Sequence, residues 1–210
     1  VTGGADASQP LPLILVMHGL GDRPESFTSW QREITAQARV YSLRGPKAHG
    51  QGFSWFDPAS RGGGPVDAAA LGPGVREAAE RVIANLDRLV ARKPTRGKPV
   101  VTGFSQGGMV SFALAALAPG RVSASLPIGG VLPTAIEPAP PPPSPPLLLA
   151  FHGAADPRVP VELARTSTGR FQQRGWSAEL REYPGVGHSI GPDERRDLMR
   201  ALSDAASLAR

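Results

Sequence analysis

The sequence predicts an α/β domain, a mainly parallel sheet covered by helices on both faces, and three observations carry that expectation. Short apolar runs of strand length alternate with longer segments whose apolar residues recur at helical spacing. The 25 glycines and 23 prolines fall between these segments as loop punctuation and follow no collagen-like period. The 210 residues, 40% hydrophobic, supply one domain's core, and no apolar run approaches the ~20 residues a membrane-spanning helix needs. Residues 1–210 therefore read as a single domain with no internal repeat.

Leu11 to His18 is a short apolar run bounded by Pro12 and Gly19, as expected of a fully buried strand. Glu25 to Ala38 reads as a helix, because Phe27, Trp30, Ile34 and Ala38 recur at helical spacing. Val40 to Leu43 is the next strand, and Gly45 to Gly74 is a Gly/Pro-rich stretch too long for a simple connection, the kind of segment that forms lids and binding loops. From Val75 the period is helical, with Ala78, Ala79, Val82, Ile83, Leu86, Leu89 and Val90 on one face and Pro94 beyond the end. Pro99 to Gly103 (strand), Gln106 to Ala118 (helix), Ala124 to Val131 (strand), Leu147 to Phe151 (strand), Val161 to Arg174 (helix), Ala178 to Tyr183 (strand) and Pro192 to Leu208 (helix) complete the pattern. Pro192, Asp193 and Glu194 suit a helix start. The proline-rich run Pro138 to Pro146 could be an SH3-type ligand, but its place between two strands favours a stiff surface connection.

Composition narrows the function classes. Cysteine is absent, which removes disulfides, thiolate metal sites and cysteine nucleophiles together. The charge of +5 is spread along the chain, and its densest group, Arg88, Arg92, Lys93, Arg96 and Lys98, lies at a helix C-terminus where cations complement the dipole. With no aromatic-rich basic strand or helix-turn-helix pattern beside it, no nucleic-acid partner is expected. A metal site built from the four histidines is not expected either, since no pair has ligand spacing on a helix. The compartment is weakly constrained: the cytoplasm is slightly favoured, while the start at Val1 leaves a removed leader open.

Gly103-Phe104-Ser105-Gln106-Gly107 matches G-x-S-x-G, the sharp strand-to-helix turn that exposes a serine, and it stands where a strand runs into a helix. Ser105 has a plainer reading as a helix N-cap. Downstream, the loop Phe151 to Asp156 offers an acid and Gly185-Val186-Gly187-His188 an imidazole just before the last helix. The order Ser105, Asp156, His188 is that of the α/β-hydrolase triad, and all three arrive at the C-terminal edge of the sheet. Asp156 could instead cap the following helix, with Glu182 the alternative acid. His18 and His152, each before a glycine at a strand end, read as scaffold, and His49 as a loop residue.

With these residues in place, the sequence resembles the serine hydrolases of the phospholipase/carboxylesterase group, which includes acyl-protein thioesterases. The likeness rests on Leu15 to Asp22, on Gly103 to Gly108, on His152-Gly153 with Asp156 and Val159-Pro160, and on Gly187-His188. Ser54 to Asp57 and Gly130 to Pro133 also look like that group's loops near the active site. The resemblance implies an α/β-hydrolase fold, a small-molecule ester or thioester substrate of short or long acyl chain, and no cofactor. It further implies oxyanion donors in the backbone amides of Leu20 and Gln106. Trp55, Phe56, Val131 and Leu132 are then candidates for lining the substrate site, although on general grounds an aromatic pair in such a loop anchors it to the body. The chain departs from the family in having little before its first core strand, so Val1 to Pro10 reads as the remnant of an antiparallel strand, and in carrying the proline run. A lysophospholipase or protein deacylase acting on long acyl chains is the alternative among enzymes, and a non-catalytic binding protein on the same fold the alternative outside enzymology.

Overall fold

The computed structural model describes residues 1–58 and 64–209. Strands β1 (Leu13–Met17), β2 (Arg39–Leu43), β5 (Val100–Phe104), β6 (Ala124–Ile128), β7 (Leu147–Gly153) and β8 (Ala178–Tyr183) form one sheet in the order β2-β1-β5-β6-β7-β8, and every pairing in it is parallel. Parallel neighbours need crossovers: α1 (Gly72–Ala91) lies between β2 and β5, α2 (Gln106–Leu117) between β5 and β6 and α3 (Val161–Gln173) between β7 and β8, while α4 (Pro192–Leu208) follows the last strand. Residues alternate between the faces of a strand. Leu13, Leu15 and Met17 of β1 therefore join Val101, Leu148 and Ala150 in a core with α1, α2 and α3. Ile14 and Val16 face the other way with Ile128, Leu149 and Phe151, against Leu198 and Leu202 of α4. Helix α2 is buried nearly all round, as its uniformly apolar sequence requires.

The chain leaves β1 for β2 on one side and returns to β5 on the other. That reversal opens a crevice at the C-terminal ends of β1 and β5, the place where open α/β sheets put their sites.

The predicted strands and the helices from Val75 onward form as expected, within a few residues at their ends. Strand β6 stops at Ile128 rather than Val131, because Gly129 turns the chain at φ 54° and donates its N–H to the Phe151 carbonyl. Three expectations are corrected. Glu25 to Ala38 is not an α-helix: it makes two 3₁₀ turns, Pro24–Phe27 and Gln31–Glu33, before extending at Ile34. Phe27 and Trp30, three apart, still share a face at the 3₁₀ repeat, and Arg195 of α4 holds the turns by pairing with Glu33 and lying 5.0 Å over the Trp30 ring. The stretch from Gly45 is not wholly irregular, since β3 (Lys47–His49) and β4 (Gly52–Ser54) form an antiparallel hairpin. Its residues 59–63 lie outside the described residues. Val1 to Pro10 forms turns and no strand, tied down by Thr2, whose N–H donates to the Ala38 carbonyl.

The proline-rich run is a surface connection between β6 and β7, as expected. Ala139 accepts the Trp176 indole N–H at 2.9 Å and donates its own N–H to Ala116. Just before the run, Arg170 donates to the carbonyls of Leu132 (3.1 Å) and Ile136 (2.6 Å).

Candidate active site

Ser105 sits at the turn between β5 and α2 with φ 54° and ψ −113°. Among the described residues it alone combines a side chain with positive φ, a strain that surrounding packing must hold. The flanking glycines are dictated by close approach. A Cβ on Gly103 would lie 2.6 Å from the Met17 carbonyl oxygen, and one on Gly107 only 2.1 Å from the same atom. The Ser105 N–H donates to the Ile128 carbonyl at 2.9 Å, which fixes the turn over β6.

Three loops converge on this serine. The Ser105 hydroxyl lies 2.9 Å from His188 Nε2, and His188 Nδ1 lies 2.7 Å from Asp156 Oδ2. The other carboxylate oxygen accepts the backbone N–H groups of Arg158 (2.8 Å) and Val159 (2.9 Å). Burial of Asp156 works to raise its carboxyl pKa, but the bonds from His188, Val159 and Arg158 outweigh it and hold the group below its ordinary value. Asp156 is therefore ionised at neutral pH and can only accept, so His188 Nδ1 carries a proton, and in the neutral imidazole Nε2 is left to accept from the hydroxyl.

The alternative acid and the other histidines lie elsewhere. Glu182 accepts Arg165 Nε at 2.8 Å on the outer strand β8 and does not meet His188. His152 is buried beneath the Asp156 loop and donates Nε2–H to the Val159 carbonyl at 2.7 Å; burial lowers its pKa, so it is a neutral brace. His18 donates Nδ1–H to the Gly19 carbonyl and accepts the Gly45 N–H at Nε2, tying two loops together. His49 is exposed on β3.

Leu20 and Gln106 line the same small pocket as Ser105, and among the described residues neither backbone amide donates to a backbone carbonyl in a turn or loop. The Leu20 loop is held from behind by the hairpin, because the Gly21 N–H donates to the Phe53 carbonyl and the Phe53 N–H to the Asp22 carbonyl. At Gln106 the side chain contributes as well as the amide. Its Oε1 accepts the Trp55 N–H at 2.9 Å and its Nε2 donates to the Phe56 carbonyl at 3.0 Å, so the Ser54 to Phe56 loop is sewn to the start of α2. Sequence reasoning assigned Gln106 only its backbone, since a side-chain bond across fifty residues leaves no local signal.

The four residues considered for the substrate site divide. Phe56 lines a pocket of about 50 Å³ with Leu20, Ser105, Gln106, Met109 and His188. Trp55 does not line it: its indole N–H donates to the His18 carbonyl at 2.9 Å and it is an anchor. Val131 and Leu132 are core residues, 2% exposed, and are also absent from that lining. Phe104 was not singled out from the sequence; its ring packs 5.0 Å from the His188 imidazole, and only its place before Ser105 hinted at it.

The family model for phospholipase/carboxylesterase matches residues 4–205. The chain belongs to the phospholipase/carboxylesterase family. Its relatives include a probable carboxylesterase of Oryza sativa subsp. japonica, 31% identical over 92% of this chain and 77% of that one. Acyl-protein thioesterase 1 of Gibberella zeae is 27% identical over 90% of this chain and 88% of its own. Among solved structures, esterase PE8 superposes with a TM-score of 0.80 at 21% identity, covering 95% of this chain and 94% of that chain, a likeness of fold. Family membership makes this chain a hydrolase of the α/β-hydrolase fold. Among the described residues no helix is long and apolar enough to cross a membrane, and no three metal-ligating side chains are grouped.

Proposed function

We propose that this protein hydrolyses small carboxylic esters or thioesters through an acyl-enzyme, with Ser105 as nucleophile, His188 as base and Asp156 orienting the imidazole. The observation that carries this reading is the unbroken hydrogen-bond chain from Ser105 Oγ to His188 to Asp156, 2.9 and 2.7 Å long, at the mouth of the crevice. A serine hydroxyl is a poor nucleophile at its own pKa, so His188 Nε2 takes its proton as Oγ attacks the acyl carbon. The oxyanion that forms meets the free amides of Leu20 and Gln106, whose geometry is set before substrate arrives and costs no reorganisation. Collapse expels the alcohol or thiol, protonated by His188. Water then attacks the acyl-serine by the same proton transfers in reverse, regenerating Ser105.

Hydrolysis of p-nitrophenyl acetate by the native chain and by Ser105→Ala tests the assignment. Native turnover with a loss of at least about 10³-fold in the variant is expected. Equal turnover by a folded Ser105→Ala protein refutes it.

A further inference from the structure

The 3₁₀ turns that replace the expected helix leave the α4 face of the sheet incompletely covered at the ends of β1 and β5. An apolar cavity of about 200 Å³ remains there, walled by Val16, Phe27, Trp30, Phe104, Ile128 and Ile190. An apolar cavity of about 150 Å³ holds a benzene ring, so this one accommodates roughly eight carbon atoms. It is not remote from the chemistry. Gly19, Asp22 and Phe104 line both this cavity and the open cleft that holds Ser105 and His188.

We propose that this cavity binds the alcohol portion of the ester, selecting apolar leaving groups of up to about eight carbons; the assignment rests on the serine-hydrolase reading above. Position decides which half of the substrate it takes. The small pocket on the other side is lined by Leu20 and Gln106, whose amides would hold the carbonyl oxygen, and so belongs to the acyl group. The cavity is lined by none of Leu20, Gln106, Ser105 and His188; it lies behind Phe104, which packs on the His188 ring, and is lined by Ser189 and Ile190, which directly follow His188. The leaving oxygen must face His188 to receive its proton, so the substituent on that oxygen extends past Phe104 into the apolar space.

Two ester series separate the halves: acetates of ethanol, butanol, hexanol and octanol, and ethyl esters of the corresponding acids. Each methylene moved from water into an apolar site is worth about fourfold. A rise in kcat/KM of at least about tenfold from ethyl to hexyl acetate is expected, levelling by octyl, with no comparable rise along the acid series. Phe27→Ala, which removes one wall, lowers the hexyl-to-ethyl ratio. A binding measurement stands apart from turnover: 1-hexanol added to Ser105→Ala changes the fluorescence of Trp30 saturably, and Trp30→Phe abolishes the change. A flat alcohol series alongside Ser105-dependent turnover of ethyl acetate overturns the cavity assignment and leaves the triad standing, as does a rise confined to the acid series. Absence of a saturable hexanol signal overturns it too. No Ser105-dependent turnover of any ester overturns the reading beneath it, and with it the leaving-group role.

Discussion

Replacing Asp156 by Asn changes one atom's chemistry at nearly constant shape, and its consequences can be followed bond by bond. The native carboxylate accepts three N–H groups: His188 Nδ1 at 2.7 Å, Arg158 N at 2.8 Å and Val159 N at 2.9 Å. In the variant the amide oxygen retains the two backbone donors, because they fix its position, and the amide NH₂ then faces His188 Nδ1. That nitrogen must become the acceptor, which moves the imidazole proton to Nε2, toward the Ser105 hydroxyl. No lone pair remains to take the serine proton. A wrong tautomer of this kind costs about 10⁴-fold in kcat, or about 5 kcal/mol of transition-state stabilisation. The assay is kcat/KM for p-nitrophenyl acetate across pH 6 to 10, with a thermal melt of each protein to show that the fold persists. The acid side of stability changes as well. A carboxyl held below its ordinary value stabilises the fold at neutral pH, and that contribution is lost as pH falls through the folded pKa. The variant lacks that acid-side loss. A drop in kcat/KM of less than about tenfold in a folded Asp156→Asn protein would refute the reasoning.

Three further perturbations test separate parts of the structure. Glu182→Gln removes the alternative acid, whose partner is Arg165 at the surface; turnover within twofold of native is expected, and a collapse of activity would transfer the acid role to it. Gly107→Ala places a Cβ 2.1 Å from the Met17 carbonyl oxygen, both on backbone that cannot yield without parting β1 from α2. It should cost about 3 kcal/mol and lower the melting temperature by about 6–12 °C, and an unchanged melt would contradict the packing described. Glu194, at the first turn of α4, is buried at 1% exposure and accepts the Gly191 N–H; burial raises its pKa from 4.5 to about 7. The folded protein thus holds a proton that the unfolded chain has released between those values, so stability falls as pH rises from 4.5 to 7, by roughly 3 kcal/mol at most. Glu194→Gln should flatten that slope in urea unfolding at pH 5 and pH 8, and parallel slopes for the two proteins would rule the effect out.

The residues of the proposed triad could be named from the sequence, for a physical reason. A nucleophile turn demands small residues two positions on either side of its serine, a local steric requirement. The strands β5 and β7, which lead to Ser105 and Asp156, announce themselves as short apolar runs, and α1 by its 3.6-residue repeat. The order of the three residues along the chain could therefore be read directly.

What the chain does between those elements was decided only by tertiary packing. The spacing of Phe27, Trp30 and Ile34 is compatible with either helix type, and the contacts of Trp30 and Glu33 with Arg195, more than 160 residues away, hold the segment as 3₁₀ turns. The hairpin at Lys47–Ser54 was invisible because strands of three residues carry too short a pattern, and it is pinned by bonds to the Leu20 loop. The sequence favoured Asp156 over Glu182 and the distance to His188 supports that choice, whereas separating Phe56 from Trp55, Val131 and Leu132 needed to know which side chains face the serine and which fill the core. Sequence alone named the candidate groups and the sheet edge that presents them, since those follow from local sterics and burial. The shape of the space around them follows from long-range contacts, and only the folded chain contains it.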